Sequence, residues 1–141
     1  LNADFPIVEG AYRFTDQWLI DLPRKFNRRV EDGDLVIWRP AFTIYIAAWN
    51  NDNNGSKADR LLWLKNEMSK DAFAVQEIED GDIIRLGYRL TEDRDEGTVH
   101  AWYGFAIGDD GHVQIAIYFD DGSDLDMAQN VWRSIRPHNL A

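Results

Sequence analysis

The sequence predicts an α+β fold in which an antiparallel β-sheet is sandwiched with a mid-chain helix and a C-terminal helix. Three segments of alternating apolar residues over 83–119, joined by short polar turns, predict an antiparallel meander. Apolar residues at three- to four-residue spacing predict helices at 56–69 and 123–135. No linker rich in Pro, Gly and Ser interrupts the 141 residues, so we expect a single domain over 1–141.

The segment before the first helix is rich in β-forming residues. Short strands are predicted at 7–15, 17–22, 25–31 and 35–38. Pro23 is expected to end the second of these strands, because proline cannot donate a hydrogen bond to a β-ladder. The segment 42–49 is apolar on both faces, which predicts a central strand that is covered on each side.

Ser56 is the expected N-cap of the mid-chain helix, because its hydroxyl can accept a hydrogen bond from the first turn. The apolar stripe of this helix consists of Ala58, Leu61, Leu62, Leu64 and Met68, with Trp63 at its margin. A helix as short as 56–69 is stable only when its apolar stripe packs on the sheet. After this helix, residues 72–79 are predicted to form a weaker strand.

The C-terminal helix has its own start and stop signals. Ser123 and Asp126 resemble a capping box, with Asp in place of the usual Glu or Gln, and Pro137 follows the last turn. Its apolar stripe consists of Leu125, Ala128, Val131 or Trp132, and Ile135. We therefore expect this helix to pack on the meander.

Charge is the unusual feature of the composition. The chain has 25 Asp and Glu against 15 Lys and Arg, a formal net charge of −10. Nucleic-acid binding needs a basic surface, so we expect no nucleic-acid partner. Surplus acid keeps many domains soluble, and it can also steer association with a basic protein. The sequence leaves both interpretations of the charge open, solubility and association with a basic protein.

The residues that could carry chemistry do not form a catalytic pattern. The chain has no Cys, and His100, His112 and His138 lack the short spacing of a metal-binding pair. No nucleophile elbow, phosphate-binding loop or dinucleotide fingerprint occurs. The loop 50–55 matches the first half of a calcium loop, but Leu61 stands where the bidentate Glu is required. We therefore expect no metal, no cofactor and no enzymatic activity.

Aromatic and acidic residues are the candidates for contact with a partner. The predicted partner-binding residues are Trp49, Trp63, Trp102, Asp120, Asp121 and Asp124. Trp102 alternates with the buried set of its strand, so it points to the opposite sheet face. There it either packs under the mid-chain helix or belongs to an exposed aromatic patch rimmed by acid.

The element order resembles the Mog1/PsbP/DcrB-like proteins. The shared features are a first strand pair ending in Trp18-x-x-x-Leu22-Pro23, the hairpin Asp32-Gly33-Asp34, the mid-chain helix, and a terminal helix ending Val131-Trp-Arg-Ser-Ile135-Arg. The resemblance implies a fold whose members are mostly non-enzymatic binding or accessory proteins. They include a Ran-GTPase-binding factor, photosystem subunits, envelope lipoproteins and type VI secretion chaperones. It assigns no functional residue to this chain.

The sequence therefore predicts a non-enzymatic domain that presents an acidic surface to a protein partner, preferably a basic one. An immunity-type inhibitor and a secretion chaperone or accessory protein are two forms of this role. A bacterial envelope lipoprotein domain with an unknown ligand is the alternative, and a small enzyme is the third. We expect no membrane span, since no apolar run reaches ~18 residues. A cytoplasmic location is favoured, with the envelope as the alternative if an N-terminal segment precedes Leu1.

Overall fold

The computed structural model of the protein describes residues 1–51 and 55–138. Its strands are β1 (Ile7–Arg13), β2 (Trp18–Glu31), β3 (Asp34–Arg39), β4 (Phe42–Asn50), β5 (Phe73–Asp80), β6 (Ile83–Arg94), β7 (Gly97–Gly108), β8 (Gly111–Phe119) and β9 (Arg136–Pro137). The helices are α1 (Lys57–Glu67) and α2 (Leu125–Arg133). Residues 52 and 54 of the loop weighed as a calcium site lie outside the described residues.

All nine strands belong to one antiparallel sheet, in the order β1-β2-β3-β4-β8-β7-β6-β5, with β9 paired to β2. The predicted meander is confirmed as β6, β7 and β8, and it joins the N-terminal strands through the pairing of β4 with β8. The helices lie on opposite faces, with α2 against β2, β7 and β8, and α1 against β6 and β7. The predicted α+β fold is therefore confirmed.

Strand β2 is longer than the sequence predicts. It continues through Pro23 and includes the weakly predicted segment 25–31. The reason is a bulge, because Val8 pairs with Phe26 while Gly10 pairs with Leu22. Pro23 lies in the unpaired part of β2, where no ladder hydrogen bond from its nitrogen is needed. The prediction that Pro23 ends the strand is wrong for this physical reason.

The helices start close to the predicted positions, but only one uses the predicted cap. The Ser56 hydroxyl accepts a hydrogen bond from the Asp59 amide at 3.0 Å, which confirms the cap of α1. The second helix begins two residues later than predicted, after a 3₁₀ turn at Gly122–Asp124. The Asp121 carboxylate accepts from the Ser123 amide at 2.9 Å, so Asp121 caps this turn and the predicted capping box does not form.

The main core lies between α2 and the sheet, and it is organised by the Trp132 indole. Trp132 is fully buried and donates from Nε1 to the Phe105 carbonyl at 3.2 Å. It occupies a recess made by two glycines that face each other across β6 and β7, Gly87 and Gly104. A Cβ built on Gly104 would lie 2.7 Å from Trp132 Nε1, so this surface admits the indole only without side chains.

A second, smaller core lies on the other face, beneath α1. Leu64 is the fully packed residue of the helix, and Leu61 and Met68 border it. Its sheet partners are Leu86, Tyr88, Phe105 and Ile107. Because β6 and β7 are covered on both faces, neither strand shows the single buried face of a simple amphipathic strand.

Two predictions about burial are wrong. Trp102 is 0% exposed and packs against Trp132 with ring centroids 5.1 Å apart, so it lies under α2 and neither under α1 nor in a surface patch. Strand β4 is covered on one face only: Ile44 is buried, whereas Tyr45 on the opposite face is 39% exposed. The physical reason is the sheet order, which places α1 over β6 and β7 and leaves β4 beyond its reach.

Within residues 1–51 and 55–138, neither helix has the length and apolarity needed to cross a bilayer.

We predict that Trp132→Ala lowers the free energy of unfolding by about 3–5 kcal/mol, as expected for truncation of a large buried aromatic side chain. Urea denaturation followed by circular dichroism measures this change. An unchanged denaturation midpoint would contradict the packing described for α2.

We also predict that Gly104→Ala costs about 1–3 kcal/mol, because its methyl group overlaps the indole of Trp132. Gly55→Ala is the matched control, since a Cβ there meets no atom within 4 Å. In the Trp132→Ala background the same Gly104→Ala change should cost clearly less. Additive costs in this double-mutant cycle would show that the two positions do not interact.

Candidate functional site

The candidate site is the uncovered part of the sheet face that carries α1. We call it the trough, and its floor consists of Thr43, Tyr45, Ala47 and Trp49 of β4 with Gln114, Ala116 and Tyr118 of β8. These side chains point away from α2, because their neighbours Ile44, Ile46 and Ile115 fill the main core. None of the floor residues is fully buried, although β4 and β8 are central strands.

A row of four tyrosines crosses four adjacent strands on this face. Tyr88 stacks on Tyr103 with ring centroids 5.7 Å apart, and Tyr103 meets Tyr118 edge-on at 6.0 Å. Tyr118 in turn meets Tyr45 edge-on at 5.9 Å. The exposure of this tyrosine row increases from Tyr88, which is buried under α1, to Tyr45, which is 39% exposed. The row therefore leads from the second core into the trough.

Two of the hydroxyl groups in the row are hydrogen bonded to each other. The Tyr103 and Tyr118 hydroxyls share one hydrogen bond. Burial raises the pKa of Tyr118 well above its usual value, and the hydrogen bond with Tyr103 adds to this effect. Burial also raises the pKa of Tyr88. Tyr88 and Tyr118 therefore present neutral phenol groups, which combine apolar ring faces with polar donors and acceptors.

The N-terminal segment borders the trough on the side of β2 and β3. The buried Asn27 side chain donates to the carbonyls of Asn2 and Phe5 at 2.8 and 3.2 Å, and it accepts from the Asn2 amide at 2.8 Å. Phe5 packs edge-on against Trp38 at 5.0 Å, and the Arg29 guanidinium lies 4.5 Å from the same indole. These contacts cover β2 and β3 on this face.

Helix α1 borders the trough on the opposite side, where a groove of about 610 Å³ separates the helix from β4 and β8. Trp49 and Trp63 line this groove and are 46% and 59% exposed. Trp49 stacks on His112 with ring centroids 5.3 Å apart. Arg60 enters from α1 and donates to the Gly108 carbonyl. The groove therefore combines two indoles, an imidazole and a guanidinium.

The other end of the trough is acidic. The hairpin between β6 and β7 and the junction between β8 and α2 lie at this end, since Thr91 pairs with His100 and His100 with Phe119. Their acidic residues are Glu92, Asp93, Asp95, Glu96, Asp120, Asp121, Asp124 and Asp126. Arg94 is the one base in these segments and pairs with Glu92 at 2.8 Å. Hydrogen bonds from Ser123 lower the pKa of Asp121, which keeps it ionised.

The structure divides the six partner-binding residues predicted from the sequence into three groups. Trp49 and Trp63 come together in the groove beside α1. Asp120, Asp121 and Asp124 lie at the acidic end, seven residues along β4 from Trp49, which is a separation of about 24 Å. Trp102 is buried in the main core and is removed from the candidate surface.

The tyrosine row is the feature that the sequence analysis missed. Tyr88 and Tyr103 are fifteen residues apart, as are Tyr103 and Tyr118, but their adjacency depends on the register of three strands. Tyr45 joins them only because β4 pairs with β8. The alternating pattern of each strand gives the face of each tyrosine relative to its own neighbours, and it carries no information about this long-range pairing.

In the part of the chain that the structure describes, no three His, Asp or Glu side chains are placed to hold a metal ion.

The comparisons with known proteins give a fold and no family. No family model and no curated protein matches the chain. A crystal structure of a protein from Bacteroides thetaiotaomicron superposes with a TM-score of 0.70 at 10% sequence identity. The match covers 94% of this chain and 49% of that protein, so the chain spans about half of its length. At this identity the likeness shows a shared fold alone.

We predict a pH-dependent contribution of His112 to stability. Burial, and then the nearby Arg60 charge, lower the pKa of His112 from its ordinary value of 6.5. The unfolded chain therefore binds the proton more tightly, so this stability is complete above the unfolded-state pKa and is lost as pH falls through the folded-state pKa. Urea denaturation between about pH 8 and pH 5 should show a shallower pH dependence for His112→Gln than for the wild type.

The other titratable groups are common to both proteins, so the difference between the two slopes reports on His112. A His112→Gln slope equal to that of the wild type would rule out the burial of this imidazole in its neutral form.

Proposed function

We propose that the chain is a non-enzymatic protein-binding domain that docks a partner protein on the trough, and that the partner is basic. An immunity-type inhibitor and a secretion chaperone or accessory protein are the concrete forms of this role. The resemblance in element order to the Mog1/PsbP/DcrB-like proteins supports this proposal, since such proteins are mostly binding or accessory proteins.

The tyrosine row is the observation that carries the proposal. The open face of an antiparallel sheet normally carries polar side chains, and here β4 and β8 place Tyr45, Tyr118 and Trp49 on it. Tyr and Trp are enriched in the cores of protein interfaces, because they offer large apolar contact area together with a polar group. No described element covers this face, so a partner would complete the sandwich.

The acidic end supplies a reason for a basic partner. Seven of its eight carboxylates lack a salt bridge within the described residues, since only Glu92 pairs with a cation there. The trough floor continues into the acidic end, where one depression of about 740 Å³ is lined by Tyr45, Tyr118 and Asp120. Like charges concentrated at one rim steer an oppositely charged partner and increase its association rate.

The experiment that tests this proposal is capture of partners from the lysate of the source cell on the immobilised protein. We expect one stoichiometric basic protein whose recovery falls as salt rises from about 0.05 to about 0.3 M, because salt screens charges across the rim. Tyr45→Ser should remove the captured protein at both salt concentrations, as expected for loss of a central aromatic contact.

Two further variants separate the contributions of the surface. Asp120→Asn with Asp124→Asn should reduce the salt dependence and retain binding at low salt. Val30→Ser is the matched control for Tyr45→Ser, because Val30 is 67% exposed and lies on β2 outside the trough floor. Equal recovery with Tyr45→Ser and Val30→Ser would contradict docking on the trough.

A further inference from the structure

Arg60 is a half-buried cation whose hydrogen bonds are incomplete. Its Nη2 donates to the Gly108 carbonyl, but Nε and Nη1 are buried and have no acceptor among the described residues. Burial lowers the pKa of Arg60, and the charge of Asp109 opposes this effect. Asp109 is also shared with Lys57, whose Nζ lies 3.3 Å from it. The described residues therefore satisfy the guanidinium only in part.

The surroundings of Arg60 have the form of a ligand site. The groove of about 610 Å³ brings the guanidinium together with Trp49, Trp63, His112 and Gln114. Both indoles are about half exposed, so they can change rotamer without disturbing the core. This opening motion would give a ligand access to the two unpaired nitrogen atoms.

We propose that this groove binds a carboxylate carried on an aromatic or apolar body. A guanidinium has two edges with parallel N–H donors, Nε with Nη2 and Nη1 with Nη2, and each matches the two oxygens of a carboxylate. Nη2 of Arg60 keeps one N–H beside its bond to Gly108, so one of these edges remains available. Trp49 and Trp63 offer flat apolar surfaces on which the body of the ligand can stack. Such a group is supplied either by a small aromatic acid or by the C-terminal carboxylate of a peptide that ends in an aromatic residue.

The charges around the groove favour a single carboxylate over a more highly charged anion. Asp59 lines the groove from α1, and Asp109 is close to Arg60. Phosphate carries more charge, and it would be repelled more strongly by these carboxylates. One carboxylate can accept from both N–H donors of the available Arg60 edge. This site adjoins the trough at Trp49 and Gln114, but it takes a small ligand and does not rest on the proposed docking of a protein on the tyrosine row.

Four small probes test the proposal by NMR of the tryptophan indole N–H groups. They are phenylacetate, phenylacetamide, N-acetyl-Gly-Phe and N-acetyl-Gly-Phe amide. We expect at least one acid to shift the Trp49 and Trp63 signals with a Kd on the order of 1 mM, and its amide to bind about tenfold more weakly. Trp49→Phe and Trp63→Phe assign the two signals.

Variants connect the binding to Arg60. Arg60→Met keeps a long side chain and removes the donors, and it should weaken binding of the acid by about tenfold or more. Arg24→Met is the matched control: it removes the same charge from an exposed position on β2 and should leave the Kd unchanged. Arg60→Lys keeps the charge without the paired donors, and it should bind more weakly than the wild type. Arg60→Lys also provides the test of the paired donors if Arg60→Met fails to fold.

Each result decides a separate point. Binding of phenylacetate supports a small acid, and binding of the peptide acid alone supports a chain terminus as the source of the carboxylate. Equal affinity for acid and amide, or an Arg60→Met variant that binds like the wild type, would overturn the carboxylate site. Absence of any shift at about 10 mM of both acids would overturn it as well. None of these results depends on whether a protein is captured on the trough.

Discussion

The contact on which the rest of the structure depends is the Trp132 indole against the backbone of Gly87 and Gly104. These paired glycines lower the surface of β6 and β7 at one point, which the Trp132 indole fills over Gly104 and shares with Trp102 over Gly87. The contact fixes α2 on one face, and Trp102 packs against the same indole. It also explains why Trp102 belongs to the core although it alternates with the other buried residues of its strand. Trp102 lies on the face of β7 that α2 covers.

Once α2 covers one face, coverage of the other face determines where a ligand can bind. Helix α1 has 11 residues and is about 16 Å long, whereas eight strands extend over about 34 Å. One such helix can cover only part of the sheet, and packing of Leu64 over β6 and β7 leaves β4 and β8 open. The N-terminal segment, held by Asn27, covers β2 and β3. The trough is the gap between these two covers.

The two ends of the trough differ in charge and in depth. At one end, carboxylates lie on exposed turns, where water screens them and where they act mainly on the approach of a partner. At the other end, Arg60 is half-buried beside two indoles and its Nε and Nη1 are shielded from solvent, so direction and complementary donors matter more than net charge there. A net charge of −10 therefore describes the surface as a whole, and it does not describe the groove beside α1.

The sequence by itself determined the elements, because the periods of 2 and 3.6 residues, the Ser56 cap and the polar turns are local properties of the chain. It determined the meander and the exposure of Asp120 and Asp121, and it placed Trp63 at the margin of the apolar stripe of α1. Only the tertiary structure decided that β4 pairs with β8, that Pro23 lies in a bulge, that Trp102 is buried, and that four tyrosines form one row. The physical reason is that strand pairing joins residues far apart in the chain, and β6 and β7 bury both faces, so their pattern cannot show which helix covers which face.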